Sequence, residues 1–398
     1  MGSLVPQDAW SPTAREPGDP LEVLVLTGFL GAGKTTLFNY LLSGLSGLRV
    51  AAVVNDFGAV EVDALSVAGR VDSTISLAGG CMCCEIDITE IDTALADLAA
   101  PEHGLDLVVI EASGLAEPEV LATLVRRQPR DLISYGGLVN VVDGVHVRST
   151  IERHPQLARH LSISDLLVLT KTDLLDADAY AEVREFLRGQ APRTPLTSAV
   201  RGHVDMRLLF GAGTQGGAAR GSVDHPGDGH GAHEHEHEHG HIHDAYSSCV
   251  LAPERPLHPR RFLHAVSALP DGVFRVKGTI VLAAEDGRWT YEMSKVGDML
   301  DVRSRGRSEA GDSTQVVVIG IDLPGDTEGS FDAAQLGPTE HVRHEDSLVL
   351  EPYLVAPESA TDTEGWIYDD DRATPVTGAA TMLSDPEDPD SQDPANTP

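Results

Sequence analysis

Residues 28–36 read Gly-Phe-Leu-Gly-Ala-Gly-Lys-Thr-Thr, and few folds can carry such a stretch. Before it, Leu21 to Leu26 (LEVLVL) is a short apolar run suited to a buried strand. After it, Leu37 to Leu42 (LFNYLL) repeats apolar residues at helical spacing. Gly28, Gly33, Lys34 and Thr35 therefore satisfy G-x-x-x-x-G-K-[ST] between a strand and a helix. The alternative, a glycine-rich turn that binds nothing, does not account for that flanking context.

The residue types follow from the chemistry of phosphate. Glycines let the backbone curl so that successive N–H groups face one anion, where a side chain would block the approach. The cradle spans Gly28, Gly31, Ala32, Gly33, Lys34, Thr35 and Thr36. A helix starting near Lys34 adds its positive dipole end. Lys34 is expected to reach the β- and γ-phosphates, and the Thr35 hydroxyl to ligate Mg²⁺. The chain is read as binding a nucleoside triphosphate.

From 20 to about 200, apolar runs alternate with helical patterns. Strands are expected at 21–26, 50–54, 73–77, 105–110, 137–142, 165–169 and 194–197, and helices at 34–44, 86–98, 117–127 and 178–188. This alternation implies an α/β fold, a mostly parallel sheet with helices on both faces. Ligands then bind at the carboxyl ends of the strands, where the next motifs fall.

Asn55-Asp56-Phe57-Gly58 follows the second strand. Asp56 there can approach Mg²⁺ or orient water, although Asn-Asp-x-Gly is also an ordinary turn. LDLVVI at 105–110 leads to Glu111-Ala112-Ser113-Gly114. Glu111 suits the Mg²⁺ shell, and the Gly114 N–H suits the γ-phosphate. DLLVL at 165–169 runs into Thr170-Lys171-Thr172-Asp173. A carboxylate at Asp173 can accept from guanine N1–H and its exocyclic amine, which adenine cannot match, so the nucleotide is read as GTP. Thr197 to Ala199 can line the base pocket.

The chain has only four cysteines, and Cys81, Cys83 and Cys84 fall together after Gly79-Gly80. In a reducing compartment such a cluster suits metal or thiol chemistry better than a disulfide framework. Three thiolates fill three positions of a tetrahedral Zn²⁺ site and leave one for a carboxylate, water or partner. Burial of the cysteines as small apolar residues explains one of them well and three poorly.

These stretches resemble the CobW-type GTPases, relatives of nickel-inserting accessory proteins. The resemblance is carried by GFLGAGKTT, NDFG, GGCMCC, EASGLAEP, the KTD at Lys171–Asp173, and RVKGTIVLA at 275–283, and covers about 20–330. It implies a GTP-hydrolysing metallochaperone with a smaller C-terminal domain, cation binding by Cys81, Cys83 and Cys84, and Mg²⁺ coupling through Thr35 and Glu111. Thr170 stands where the family's base motif has Asn, so it keeps a hydroxyl and loses the amide.

Composition divides the rest. Residues 1–19, rich in Pro and polar residues, read as a disordered lead-in to a GTPase domain at 20–210. The linker 211–247 carries His225, His230, His233, His235, His237, His239, His241 and His243, interleaved with Gly and acid. Unprotonated imidazoles there suit weak multi-site capture of Zn²⁺, Ni²⁺ or Co²⁺. A small α+β domain is expected at 248–356, with a helix over 258–269 and strands at 273–283, 288–293 and 315–321. The acidic segment 357–398 reads as a disordered tail.

The formal net charge of −33 argues against a nucleic-acid partner and against an anionic membrane surface. No leader pattern or membrane-length apolar run is evident, so a cytoplasmic location is expected. The function expected is a slow GTPase that loads a transition metal, zinc first and cobalt second, into a client metalloprotein. The alternative is a zinc-buffering protein with a weak or structural nucleotide site. A small-molecule kinase is disfavoured because no acceptor pocket can be read.

Overall fold

The computed structural model describes residues 14–45, 47–56, 59–66, 74–77, 88–112, 117–199, 202–211 and 246–355, with backbone alone at 54–56, 59–66, 74–77, 88–91 and 246. Cys81, Cys83, Cys84, Gly114 and the histidines from 225 to 243 lie outside the described residues, as does the segment 357–398.

The first sheet grows from β1 (Leu21–Thr27), whose apolar run is almost wholly buried. The chain continues through α1 (Lys34–Gly44), β2 (Arg49–Asp56), β3 (Ala59–Ser66), β4 (Thr74–Leu77), α2 (Ile88–Ala99), β5 (Leu107–Glu111) and α3 (Pro118–Arg126). Then come β6 (Ile133–Asp143), α4 (Val147–Arg153), α5 (Gln156–Ser162), β7 (Leu166–Thr170), α6 (Ala177–Gln190), β8 (Leu196–Ser198) and α7 (Met206–Phe210).

The strand order is β4-β3-β2-β5-β1-β6-β7-β8. Six strands from β2 to β8 run parallel, and β3 and β4 add an antiparallel edge. β1 is central, so its carboxyl end and those of β5, β6 and β7 open onto one rim. The helices pack by apolar stripes, α1 burying Leu37, Phe38, Leu41 and Leu42.

A second sheet holds β9 (Tyr246–Leu251), β10 (Val273–Ala284), β11 (Gly287–Val296), β12 (Met299–Arg307), β13 (Gln315–Ile321) and β14 (Leu354–Val355), in the order β14-β12-β11-β10-β13-β9. It is antiparallel apart from the short β12–β14 pair. Helix α8 (Pro259–Ser267) covers one face, with Phe262 edge-on to Phe331 at 5.7 Å between ring centroids.

Both sheets belong to one compact unit. Arg275 on β10 is 1% exposed; its Nη2 donates to Glu22 Oε2 on β1 at 2.6 Å and its Nη1 to Leu209 O at 2.7 Å. Near this joint the β1–β6 register slips between Val23 and Leu24, where Tyr135 and Gly137 are the partners and Gly136 is the extra residue. A Cβ on Gly137, at φ 116°, would stand 3.0 Å from Val296 Cγ1, so a side chain at this bulge would be strained and would crowd the second sheet. Residues 14–20 are held on both sides: Arg15 N donates to Asp106 Oδ1 at 2.8 Å and Arg303 Nη1 to Gly18 O at 2.6 Å.

Candidate functional site

The phosphate loop joins β1 to α1 through three glycines at positive φ, Gly28 (141°), Gly31 (73°) and Gly33 (98°). Gly28 is the tightest: a Cβ there would lie 2.3 Å from Val141 O on β6. Gly33 is the N-cap of α1 in the left-handed region, and no side chain caps that end. The first turn of α1 thus presents its N–H groups and positive dipole end to the loop, an arrangement suited to an anion.

Lys34 is buried at the start of α1, and its Nζ donates to Gly28 O at 2.9 Å and Phe29 O at 3.3 Å. The ammonium thus lies within the curve of its own loop. Thr35 Oγ1 donates to Glu111 Oε1 at 2.8 Å. Glu111 ends β5, pairs in register with Leu26 of β1, and is 6% exposed. A hydroxyl beside a buried carboxylate is a hard oxygen donor set of the kind Mg²⁺ prefers, so the residues present fit that ion.

Thr170 ends β7 and is buried. Its Oγ1 lies 2.6 Å from Ala32 O and 3.0 Å from Val142 O, and its single proton goes chiefly to the nearer carbonyl. In a trans peptide the C=O and the next N–H point in opposite directions. Holding the Ala32 carbonyl against β7 therefore turns the Gly33 N–H the other way, into the cradle. Lys171 follows at φ 57°, and its Nζ donates to Asp143 Oδ2 at 2.6 Å. Asp173 is exposed in the 3₁₀ turn Thr172–Leu174. Tyr180 and Ser198 hydroxyls meet at 2.7 Å, and Ala199 N donates to Leu169 O at 2.7 Å.

The structure therefore brings residues 28, 31–36, Glu111, Thr170, Lys171 and Asp173 to the carboxyl rim of the sheet. Asp56 ends β2 on the same rim, and its side chain is not among those described. Among the described residues no group of three or more His, Cys, Asp or Glu could hold a metal ion. A cavity of about 320 Å³ adjoins the loop, lined by residues 28–32, Val141, Ile151, Leu157 and Lys171. Phe29 meets the His154 ring at a tilt, with ring centroids 5.0 Å apart.

Sequence reasoning missed Asp143. Burial alone would raise its carboxyl, but hydrogen bonds from Lys171 and His146 outweigh this and hold it below the ordinary range. An Asp before Gly at a strand end reads as a turn, and only the β6–β7 pairing reveals its neighbour.

Residues 22–197 match the nucleotide-binding domain of the CobW/HypB/UreG family, and 246–333 match the cobalamin synthesis protein cobW C-terminal domain. The chain is 32% identical to the zinc chaperone CobW of Pseudomonas aeruginosa over 227 residues, 48% of this chain and 60% of that protein. It is 33% identical to the zinc chaperone YjiA of Escherichia coli over 200 residues, 48% and 61% of the two chains. These matches span under two thirds of either relative. A Sinorhizobium zinc chaperone CobW is 29% identical over 345 residues, 78% of this chain and 95% of its own length. No described helix is long and apolar enough to cross a membrane. With its phosphate loop between β1 and α1 and a second antiparallel sheet following it, the chain carries both the nucleotide-binding domain of the CobW/HypB/UreG family and the cobW C-terminal domain.

Proposed function

We propose that this chain is a GTP-hydrolysing metallochaperone that takes up a transition metal, zinc before cobalt, and hands it to a client metalloprotein in the cytoplasm. One observation carries the nucleotide half. The phosphate loop is preformed, with Lys34 inside it, Thr35 on Glu111 and Ala32 tied to Thr170. The names of the relatives, zinc chaperones, support the metal half.

The chain's own groups divide the work. The N–H groups at Gly33 and the start of α1 receive the phosphate oxygens, and Lys34 exchanges two loop carbonyls for β- and γ-phosphate oxygens. Thr35 and Glu111 are the residues that would hold Mg²⁺, which supplies charge neutralisation at those oxygens. Asp173 selects guanine, and the Lys171 stem flanks the base. Asp56 and Gly114 are assigned to water placement and γ-phosphate sensing. Cys81, Cys83 and Cys84 are assigned to the transferred metal, and His233, His235, His237, His239, His241 and His243 to its capture.

Phosphate release measured with GTP, with and without Zn²⁺, tests this reading. Turnover that responds to zinc and vanishes in Lys34→Ala is the expected result. Zinc binding without GTP turnover in the wild type supports the zinc buffer instead.

A further inference from the structure

Asp143 is the last residue of β6, directly opposite Thr170 in the β6–β7 register. The two strand ends are stitched closely. Gly144 N donates to Thr170 O at 3.0 Å, and a Cβ on Gly144 would stand 2.9 Å from that oxygen. The two carboxylate oxygens of Asp143 have different partners. Oδ1 accepts from Val145 N at 2.9 Å and His146 N at 3.1 Å, a local turn that leads into α4. Oδ2 accepts Lys171 Nζ at 2.6 Å and faces His146 Nδ1 at 3.0 Å.

The turn needs one oxygen only. The second holds a lysine 28 residues away, in the loop between Thr170 and Asp173. That lysine is a non-glycine residue in the left-handed region, a conformation that persists only where its surroundings enforce it. Its side chain is 34% exposed, so without an anchor its four-carbon stem would be free to rotate.

We propose that Asp143 is a positioning residue of the nucleotide site, fixing Lys171 through its ammonium so that the lysine stem stands ready as one wall for the guanine base. The proposal rests on the GTP reading above. Ordering the stem in advance removes an entropy loss that binding would otherwise carry, so Asp143 acts on affinity and leaves the chemical step alone.

The test uses the full chain and four proteins: wild type, Asp143→Asn, Lys171→Met and the double variant. Asparagine keeps an Oδ1 for the turn and replaces the other oxygen with an amide that cannot anchor an ammonium. Methionine keeps most of the stem and removes the ammonium. Affinity for a non-hydrolysable GTP analogue is read by calorimetry, and KM and kcat by phosphate release. Each single variant should lose roughly 5- to 10-fold in affinity, as for loss of a preorganised contact, with KM raised and kcat within about two-fold. Because both remove one interaction, the double variant should be no weaker than Lys171→Met. Unchanged affinity in Asp143→Asn, or a double variant that loses the product of both single losses, overturns the proposal while the GTP reading stands. A wild type that binds no guanine nucleotide overturns both.

Discussion

Thr170 Oγ1 lies 2.6 Å from the carbonyl oxygen of Ala32, a hydrogen bond that spans 138 positions of sequence and is buried from end to end. It joins the base loop to the phosphate loop, so the two halves of the nucleotide site are one hydrogen-bonded piece. Thr170→Val keeps the shape and removes the donor, leaving a buried carbonyl less well satisfied at about 1–3 kcal/mol. GTP affinity by calorimetry should fall about 10-fold, and Thr170→Ser should retain it. Equal affinities in valine and wild type would show that the contact does not shape the cradle.

Gly28→Ala tests the loop from the opposite side. The new Cβ would meet Val141 O at 2.3 Å with φ at 141°, so the loop has to move away from β6. Strain of about 1–3 kcal/mol plus overpacking should weaken GTP binding ~100-fold. Fluorescence titration with a labelled GTP analogue reads this, and a loss under two-fold would contradict the close approach.

How much of this was legible before the structure depends on the range of each constraint. The phosphate loop is a local backbone requirement, so β1, the loop and α1 could be read from residues 21–44 almost to the residue. The β12 segment MLDVRSRGR was missed because Ser304 and Gly306 stand where apolar residues would alternate with its three arginines; in the structure Arg303 and Arg305 pair with Asp19 and Arg307 with Asp286. Helices α4 and α5 were missed because His154 and Pro155 divide them into two short pieces. Asp143 and the bond from Thr170 to Ala32 depend on which strands are neighbours, and strand order is not written in any one segment. At Thr170, which stands in place of Asn, the retained hydroxyl is spent on the phosphate loop, a partner that the local sequence does not show.

The Arg275–Glu22 pair sets a stability expectation with a defined pH dependence. Burial alone would raise Glu22, but the Arg275 charge and hydrogen bond, with a smaller effect from Lys277, bring its carboxyl below the ordinary carboxylate range. A depressed carboxylate contributes stability above its unfolded value of ~4.3 and loses it as pH falls through the folded value. Glu22→Gln strands a buried guanidinium and should cost about 3 kcal/mol at pH 7, the low end for a broken buried pair. The deficit relative to wild type should shrink below pH 4. Urea midpoints at both pH values check this, and a deficit that does not change with pH would contradict it.

Guanine selection should rest on Asp173. Hydrogen bonds from guanine N1–H and its exocyclic amine to Asp173 predict GTP at least ~10-fold tighter than ATP, with Asp173→Ala eroding that preference and Lys34→Ala weakening both nucleotides. Competition of each nucleotide against a labelled GTP analogue reads the ratio. Equal wild-type affinities would contradict the assignment.

Metal held by Cys81, Cys83 and Cys84 should be coupled to the nucleotide, because those cysteines lie in sequence between Asp56 and Glu111, two residues at the carboxyl rim of the sheet. Such coupling is reciprocal and typically ~1–3 kcal/mol. The direct measurement is zinc affinity by competition with a chelating dye, first with a non-hydrolysable GTP analogue and then with GDP, on wild type and the triple Cys→Ser variant. Wild-type affinities should differ ~5- to 150-fold between the two states, tighter with the GTP analogue, with no difference in the triple variant. Identical wild-type affinities in both states would contradict it.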